Sequence, residues 1–276
     1  MSAALAAAVG RALGRDLVLR PVTGGSICDA FRGGDDVFVK ALHDAPAGLF
    51  AAEAAGLRWL AAAEALPVPE VLAVEAGWIA LEWMESIADE EALGRGLATL
   101  HAAGAHAHGA TPPGVPATVF LGPLALPAAP APTWSEHYAG QRLEPLLRRA
   151  ADRDALPGGA RAAVERVIAR IDALAGPEEP PARLHGDLWS GNVLGTTLID
   201  PAAHGGHRET DLAMLRLFGG RSERCFAAYA EVAPLAEGHV ERVGLWQLQP
   251  LLVHAILFGG SYGAAVERTA TRVAPY

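Results

Sequence analysis

Two cysteines, Cys28 and Cys225, are all that the 276 residues contain. Neither a disulfide framework nor a cysteine-rich zinc site can be built from them, which fits a reducing compartment; the expected location is cytoplasmic. Cys28 itself reads as a half-buried strand thiol, with an oxidation-sensitive thiol as the sharper alternative. Charge is also scarce. Only 19% of residues are Asp, Glu, Lys or Arg, the formal balance is −9, and no basic block occurs. A nucleic-acid partner would need such a basic footprint, so none is expected. The chain also lacks an apolar run of the roughly 18–20 residues that span a bilayer. Its longest candidate, Leu245–Tyr262, is interrupted by Gln247, Gln249, Pro250 and His254. It reads as a buried helix, and no membrane contact is expected. The opening stretch Met1–Arg15 has no basic start and is broken by Gly10 and Arg11, so it reads as an amphipathic helix and not a signal peptide. Neither GxGxxG nor GxxxxGK[ST] appears, which removes the commonest phosphate-loop signatures.

What is present is apolar and alanine-rich. Hydrophobic residues make up 51% of the chain, enough for a globular core, and the length suits one large or two modest domains. Short alternating runs separated by Gly-Gly turns place strands at Leu17–Leu19 with Pro21-Val22, at Ile27–Arg32 and at Asp36–Lys40. A helix over Ala47–Ala65 follows, then strands at Val71–Val74 and Trp78–Met84. Beyond Glu85 the periodicity becomes helical: Asp89–Ala102, Trp134–Ala150, Gly158–Ala175, Glu209–Phe218, Glu223–Val232 and Glu237–Phe258. Between the first two of these, Thr111–Thr133 holds seven prolines and reads as a long irregular loop of functional interest. The expected class is α+β, with a sheet-based lobe over residues 1–84, a mainly helical lobe over 85–276, and a ligand cleft between them.

The chemistry is concentrated in one segment. His185-Gly186-Asp187-Leu188-Trp189-Ser190-Gly191-Asn192 has the form H-x-D-x-x-x-x-N. A hydrophobic pair, a turn at Gly195-Thr196 and a second hydrophobic run then lead to Asp200. These residue types at this spacing match phosphoryl transfer, in which one Asp accepts the proton of the acceptor hydroxyl while an Asn and a second Asp hold Mg²⁺ on the ATP phosphates. Asp187 is thus the expected base, and Asn192 and Asp200 are the expected metal ligands. The hairpin after Asn192 is expected to fold Asp200 back beside it, bringing two hard oxygen donors together. Upstream, Lys40 ends a Val-Phe-Val strand and Glu53 follows thirteen residues later on a helix. Such a pair holds a lysine against the α and β phosphates. Gly24-Gly25-Ser26 sits between strands where backbone N–H groups could cover a nucleotide, although a plain hairpin turn needs the same glycines. Asp211, in the first turn of a helix, is placed either to receive backbone N–H groups of the catalytic loop or simply to favour the helix dipole.

Over nearly its whole length the chain resembles the fructosamine kinase (ketosamine kinase) family, in the aminoglycoside-phosphotransferase-like branch of the protein-kinase-like fold. The resemblance is carried by His185–Asn192 with its Trp189-Ser190-Gly191 insert, Ile199-Asp200-Pro201-Ala202, Gly206–Met214 and Leu217-Phe218-Gly219-Gly220. His254 with Leu257-Phe258-Gly259, Gly24–Ile27, Phe38-Val39-Lys40 and the Glu53–Leu57 stretch agree as well. It implies a bilobal fold, ATP and Mg²⁺ as cofactors, and adenine contacts from the backbone of a hinge at Glu82, Trp83 and Met84. It also implies a small ketosamine or glycated amine as acceptor, phosphorylated on a sugar hydroxyl. Trp189 is expected against the sugar ring, with His204 and the 111–133 loop shaping the amine side. The chain departs from the family pattern at Ala203-His204-Gly205, where an aromatic pair is usual, and at Thr118–Gly122, where an Asn is usual. Both departures concern the acceptor side.

Other readings fail on residues. Gly259-Gly260-Ser261-Tyr262-Gly263 matches G-x-S-x-G, but no acid–His pair follows Ser261 as a hydrolase would need. His101, His106 and His108 form a weak zinc motif, and His101 reads better as a core histidine. Asp200 is followed by Pro-Ala where a protein kinase has Phe-Gly, and no A-P-E segment appears. An aminoglycoside or amino-alcohol kinase is the nearest alternative. A pseudokinase regulator is the alternative of another class, but no lysine, base or metal ligand is missing.

Overall fold

The computed structural model describes residues 2–23, 25, 27–85 and 87–275. Its N-terminal part is a helix, α1 (Ser2–Leu13), followed by β1 (Leu19–Pro21), β2 (Asp29–Gly33), β3 (Val37–Ala41), α2 (Leu49–Ala61), β4 (Val71–Glu75) and β5 (Trp78–Glu82). The strands form one antiparallel sheet in the order β1-β2-β3-β5-β4. Side chains alternate across a strand, and β3 uses both faces. Val37, Val39 and Ala41 pack with Val9 of α1, while Phe38 packs with Phe50 and Leu57 of α2. Lys40 shares the Phe38 face by the same alternation, so the strand aims it towards α2.

The C-terminal part starts at α3 (Glu90–Ala102), capped by Asp89, whose carboxylate accepts from the N–H groups of Glu91 and Ala92. Then come β6 (Thr118–Leu121), β7 (Leu124–Pro127), α4 (Trp134–Tyr138), α5 (Glu144–Asp152), α6 (Ala160–Ala169), α7 (Ile171–Leu174) and β8 (Ala182–Leu184). The motif segment supplies β9 (Val193–Leu194) and β10 (Thr197–Leu198). It leads to β11 (His204–Gly206), α8 (Glu209–Leu217), α9 (Glu223–Val232), α10 (His239–Phe258) and α11 (Tyr262–Val273). Two short antiparallel pairs, β8 with β11 and β9 with β10, frame the motif. The α+β class and the kinase-like arrangement follow. No helix among the described residues is long and apolar enough to cross a membrane.

Four expectations need correction. The 111–133 segment is not structureless: Thr118–Leu121 and Leu124–Pro127 pair as a hairpin turned at Gly122-Pro123. Val119, Leu121, Leu124 and Leu126 are buried in the C-terminal core, and the prolines that hid this alternation sit outside the paired residues or at their ends. The helix expected over Trp134–Ala150 is interrupted by a π-helical turn at Ala139–Leu143. Gly158–Ala175 is divided at Arg170. Finally, α11 was not expected, because only Gly263, Val266 and Ala270 of its face are buried and the apolar period is faint.

Pro250 lies inside α10, where it removes an N–H donor and leaves the Trp246 carbonyl without its helical partner. Tyr138 supplies the replacement. Its hydroxyl donates to the carbonyls of Trp246 and Leu245, at 3.0 and 3.1 Å, and accepts from the Gln249 N–H at 3.2 Å. Burial pushes the phenol pKa up, so the hydroxyl keeps its proton. A polar side chain inserted into the ladder is one of the recognised ways a helix absorbs a proline.

Histidine burial sets the acid response of the fold. His137 and His204 are 0% and 2% exposed. Burial, with the nearby Arg142 cation, holds His137 down at about 2 and His204 at about 3. An unfolded histidine binds its proton near 6.5. Between those values the unfolded chain therefore carries more protons than the folded one, and stability must fall as pH is lowered from about 6.5. Each such histidine contributes about 1.4 kcal/mol per pH unit. Urea unfolding at pH 7.5 and 5.5 should differ by roughly 3 kcal/mol from these two residues, and a flat profile would contradict their neutral burial.

Candidate active site

Lys40 is the cation of the site. Its Nζ lies 2.7 Å from Glu53 Oε1 and 2.7 Å from Asp200 Oδ1. Glu53 is buried on the face of α2 that also holds Phe50, Ala54, Leu57 and Leu60, so the helix period presents its carboxylate to the sheet. Burial works against the Lys40 charge, yet Glu53 and Asp200 raise its pKa well above the ordinary lysine value. Burial pushes the Glu53 carboxyl up, and Lys40 opposes that shift. Gly56 allows α2 to approach the Asp200 segment: a Cβ there would meet Pro201 Cγ and Ala203 Cβ at 3.3 Å. Asp200 has φ 53°, the left-handed region that non-glycine residues occupy sparingly and that clusters at ligand sites.

The loop that carries Asp187 hangs from Asp211. Its Oδ2 accepts from the His185 N–H at 2.7 Å and its Oδ1 from the Gly186 N–H at 2.9 Å. His101, buried, adds a contact at 3.3 Å and is itself held by the Tyr229 hydroxyl at 2.8 Å. Burial raises the Asp211 pKa, but these bonds outweigh it and hold the carboxyl below the usual range. The orienting role is thus the one the geometry supports. His185 Nε2 lies 2.8 Å from the Ile199 carbonyl and Nδ1 accepts from the Asp187 N–H, tying the loop to the segment after β10 that carries Asp200. Gly186 has φ 81°, and a Cβ there would lie 2.2 Å from the Ala202 carbonyl. Only glycine fits.

Asp187 and Asn192 close on each other. Asn192 Nδ2 donates to the Asp187 carbonyl at 2.9 Å and to Asp187 Oδ2 at 3.0 Å, which leaves Asn192 Oδ1 as a free oxygen donor. Burial, then the Asp200 charge, pushes the Asp187 carboxyl up to about 7. One cation therefore faces three carboxylates, Glu53, Asp187 and Asp200, and a triphosphate could not enter without further positive charge. An oxygen-only donor set of a carboxylate and an amide, with room left for phosphate oxygens and water, is what Mg²⁺ takes. The residues fit that ion.

Other expected residues divide into those near this centre and those held elsewhere. In the hinge, the Glu82 N–H is taken by the Glu70 carbonyl and the Trp83 N–H by the Asp36 carbonyl, both at 2.9 Å. Trp83 also packs against Phe38 and carries the Arg32 guanidinium over its ring at 4.4 Å. Those two N–H groups are thus unavailable to a base. Gly25 is exposed with φ 84°, while Gly24 and Ser26 lie outside the described residues. Trp189 is 38% exposed, and its ring folds across Gly191, where a Cβ would lie 2.2 Å from it. His204 is buried, with Nδ1 2.8 Å from the Ala202 carbonyl and its ring stacked near Trp134, so it has no face on open solvent. Cys28 is half-buried, and burial pushes its thiol up to about 11, leaving little thiolate at neutral pH.

Sequence reasoning missed Arg221. Its guanidinium reaches the carbonyls of Val193 (2.7 Å), Ser190 (3.4 Å) and Gly195 (3.5 Å), and pairs with Glu90 at 3.1 Å. It thereby clamps the turn that carries Asn192. No local motif marks it; only its position just after Leu217-Phe218-Gly219-Gly220 could have drawn attention. Glu209, held by Arg242 and the Trp246 Nε1–H at 2.6–2.9 Å, was missed for the same reason. It borders a cavity of about 280 Å³ behind α8 that contains none of the residues of the centre.

Residues 1–274 match the family model for fructosamine kinase. The chain is 37% identical over 254 residues to a protein of Thermus thermophilus described as a probable ketoamine kinase, covering 90% of this chain and 91% of that one. Among solved structures it is 46% identical to one from Thermobifida fusca described as a putative fructosamine-3-kinase, with a TM-score of 0.88 and 98% of each chain covered. An aminoglycoside phosphotransferase in complex with gentamicin is 11% identical with a TM-score of 0.65, covering 100% of this chain and 97% of that one. That last likeness concerns the fold.

The Asp211 anchor can be tested by removing it. Asp211→Ala leaves two buried loop N–H groups without an acceptor, each costing about 1–3 kcal/mol. Denaturant unfolding should show a loss of several kcal/mol, while an exposed control such as Asp35→Ala stays within about 0.5 kcal/mol. A small loss at position 211 would mean that the loop is held by something else.

Proposed function

Because the chain belongs to the fructosamine kinase family, we propose that it moves the γ-phosphate of ATP onto a sugar hydroxyl of a low-molecular-weight ketosamine. The product adduct is labile, so transfer favours release of the free amine. The observation that carries this reading is the placement of Lys40, at 2.7 Å from both Glu53 and Asp200, in one centre with the Asp187–Asn192 pair. In the coarser sense the chain is a ketoamine-type phosphotransferase with a hydroxyl acceptor.

Each residue then has a task. Residues 1–84 would hold the nucleotide: Met84 would offer the hinge N–H that Glu82 and Trp83 have spent, Gly25 would cover the phosphates with its backbone N–H, and Lys40 would bind the phosphate oxygens. Residues 85–276 would hold the acceptor. Asn192 Oδ1 and Asp200 would bind Mg²⁺, which when present neutralises charge on the phosphate oxygens. Asp187 accepts the hydroxyl proton as the acceptor oxygen bonds to the γ-phosphorus and the bond to the β-phosphate oxygen breaks, releasing ADP. Its carboxylate, lifted by burial, is a better base than an exposed aspartate.

Two variants test the assignment. Asp187→Asn should retain nucleotide binding while the transfer rate, read by ADP release in the presence of ketosamine, drops ~10²–10⁴-fold. A near-normal rate would remove Asp187 as the base. Asp200→Ala should weaken Mg²⁺-dependent binding of a fluorescent ATP analogue more than Asn192→Ala does, since a carboxylate is the stronger ligand for a hard cation. Unaltered binding in both would remove the metal site. Transfer to amino sugars alone, with none to any ketosamine, would keep the kinase and overturn the substrate.

A further inference from the structure

The base sits at one end of an unbroken path of rings. The Trp189 N–H donates to the Asp187 carbonyl at 3.1 Å, and its indole meets Phe218 edge-on at 6.0 Å. Phe218 lies 4.7 Å from His254, which lies 5.4 Å from Phe258 and 5.0 Å from Tyr262. The rings come from the catalytic loop, the end of α8, the end of α10 and the start of α11. Trp189, Phe218 and Phe258 are 38%, 37% and 48% exposed, where isolated aromatics of this size normally find cover. Contiguous exposed apolar surface beside a reacting centre marks a binding surface.

None of these side chains carries a charge. His254 could, and its bond to the Pro250 carbonyl at 2.8 Å favours the charged form, but burial outweighs that bond and lowers its pKa. The imidazole is therefore neutral, with its N–H on Nδ1 and an acceptor lone pair on Nε2. The wall beside this path is apolar as well. Gly122, at the tip of the β6–β7 hairpin, has φ 55°, and a Cβ there would lie 2.6 Å from Ile27 Cδ1 and 3.5 Å from Leu257 Cδ1. The hairpin tip thus touches both the strand-connecting loop of the N-terminal sheet and the last turn of α10. Its foot is fixed from the π-helical turn, where Gln141 bonds both the N–H and the carbonyl of Ala129, at 2.7 and 2.9 Å. The approach of Ile27 and Leu257 to Gly122 is therefore a built feature and not a loop at rest.

We infer that Phe218, His254, Phe258 and Tyr262 form the subsite for the amine substituent of the acceptor, closed by Ile27 and Leu257 across Gly122, and that it selects ketosamines of aromatic or apolar amines over those of anionic or minimal ones. The inference rests on the ketosamine reading above. Aromatic rings offer offset and edge contacts to another ring, and their faces attract the ammonium that ketosamines of aliphatic amines carry. A carboxylate on the substituent would be stripped of water against ring faces that repel negative charge.

The test compares two adducts of the same sugar, fructosyl-benzylamine and fructosyl-glycine. The kcat/KM should favour the benzyl adduct about tenfold, carried by KM and with similar kcat, as expected when uniform binding is gained. Phe258→Ala, at an exposed position, and Tyr262→Ala should each bring the ratio towards one. Equal kcat/KM for the two adducts, or a ratio unmoved in both variants, would overturn the subsite. Binding read by tryptophan fluorescence separates the two layers of the reading. Tighter binding of the benzyl adduct without transfer would overturn the ketosamine substrate and keep the ring subsite. Transfer to both adducts without preference would do the reverse, and absence of both binding and transfer would overturn both.

Discussion

One buried cation holds the chemistry together. Lys40 extends from a central strand, its carboxylate partners come from α2 and from the segment after β10, and all three meet within 2.7 Å contacts. A lysine this buried, with 12% of its side chain exposed, is stable only because both acids are there; removing one partner of a buried pair typically costs ~3–5 kcal/mol. The N-terminal sheet and the C-terminal catalytic segment are therefore joined through a charge that neither could bury alone. The same arrangement leaves negative charge in excess where, on the proposed reading, phosphates would go. Nucleotide entry and cation entry would then be coupled by that excess, which is how a chain with a formal charge of −9 would handle a polyanion without a basic patch.

Around this cation the rest of the site is stiffened by groups that do no chemistry. Asp211 takes two loop N–H groups, and Arg221 takes three carbonyls of the neighbouring turn. Tyr138 repairs the helix that Pro250 interrupts, in the same C-terminal core that supports the hairpin. These are mostly charge-assisted or buried bonds, the stronger classes of hydrogen bond. A base must be held to a fraction of an ångström for its proton transfer to work, and the loop carrying Asp187 has almost no regular structure of its own. Its rigidity is borrowed from α8, from His101 on α3 and from β11.

What could be read from the sequence follows the range of the interactions. Asp187, Asn192 and Asp200 lie within fourteen residues, and the loop and hairpin between them have fixed reach, so their convergence was legible. Lys40 and Glu53 were legible because a strand period of two and a helix period near four place them facing each other. The hairpin at Thr118–Pro127 was hidden, because its seven surrounding prolines outweigh four alternating apolar residues in any local reading. Arg221 was hidden because its partners are 26–31 residues away and nothing in its own neighbourhood requires an arginine. The hinge illustrates a third case. Sequence places Glu82, Trp83 and Met84 together, but only the structure reveals that the first two have already given their N–H groups to Glu70 and Asp36.

The two ends of the site are built from opposite materials, and physics gives a reason. The proposed phosphate end is charged, and its charges are held against one another at fixed distances, as suits a triphosphate whose developing transition-state charge would be the same in every turnover; preorganised charge in a dry site stabilises such a change most. The proposed acceptor end is neutral and ring-lined, as suits a substrate that would vary beyond its sugar. Rings discriminate by shape and by desolvation, through contacts that each contribute little and tolerate displacement. His204 shows the contrast from the other side. Its position beside the β11 turn would suit an acceptor contact, but burial against Trp134 and the Arg142 cation makes it a neutral packing element of the C-terminal core. On the proposed reading, specificity at the amine side would then fall to rings at the α10–α11 junction, far along the chain from the H-x-D-x-x-x-x-N motif.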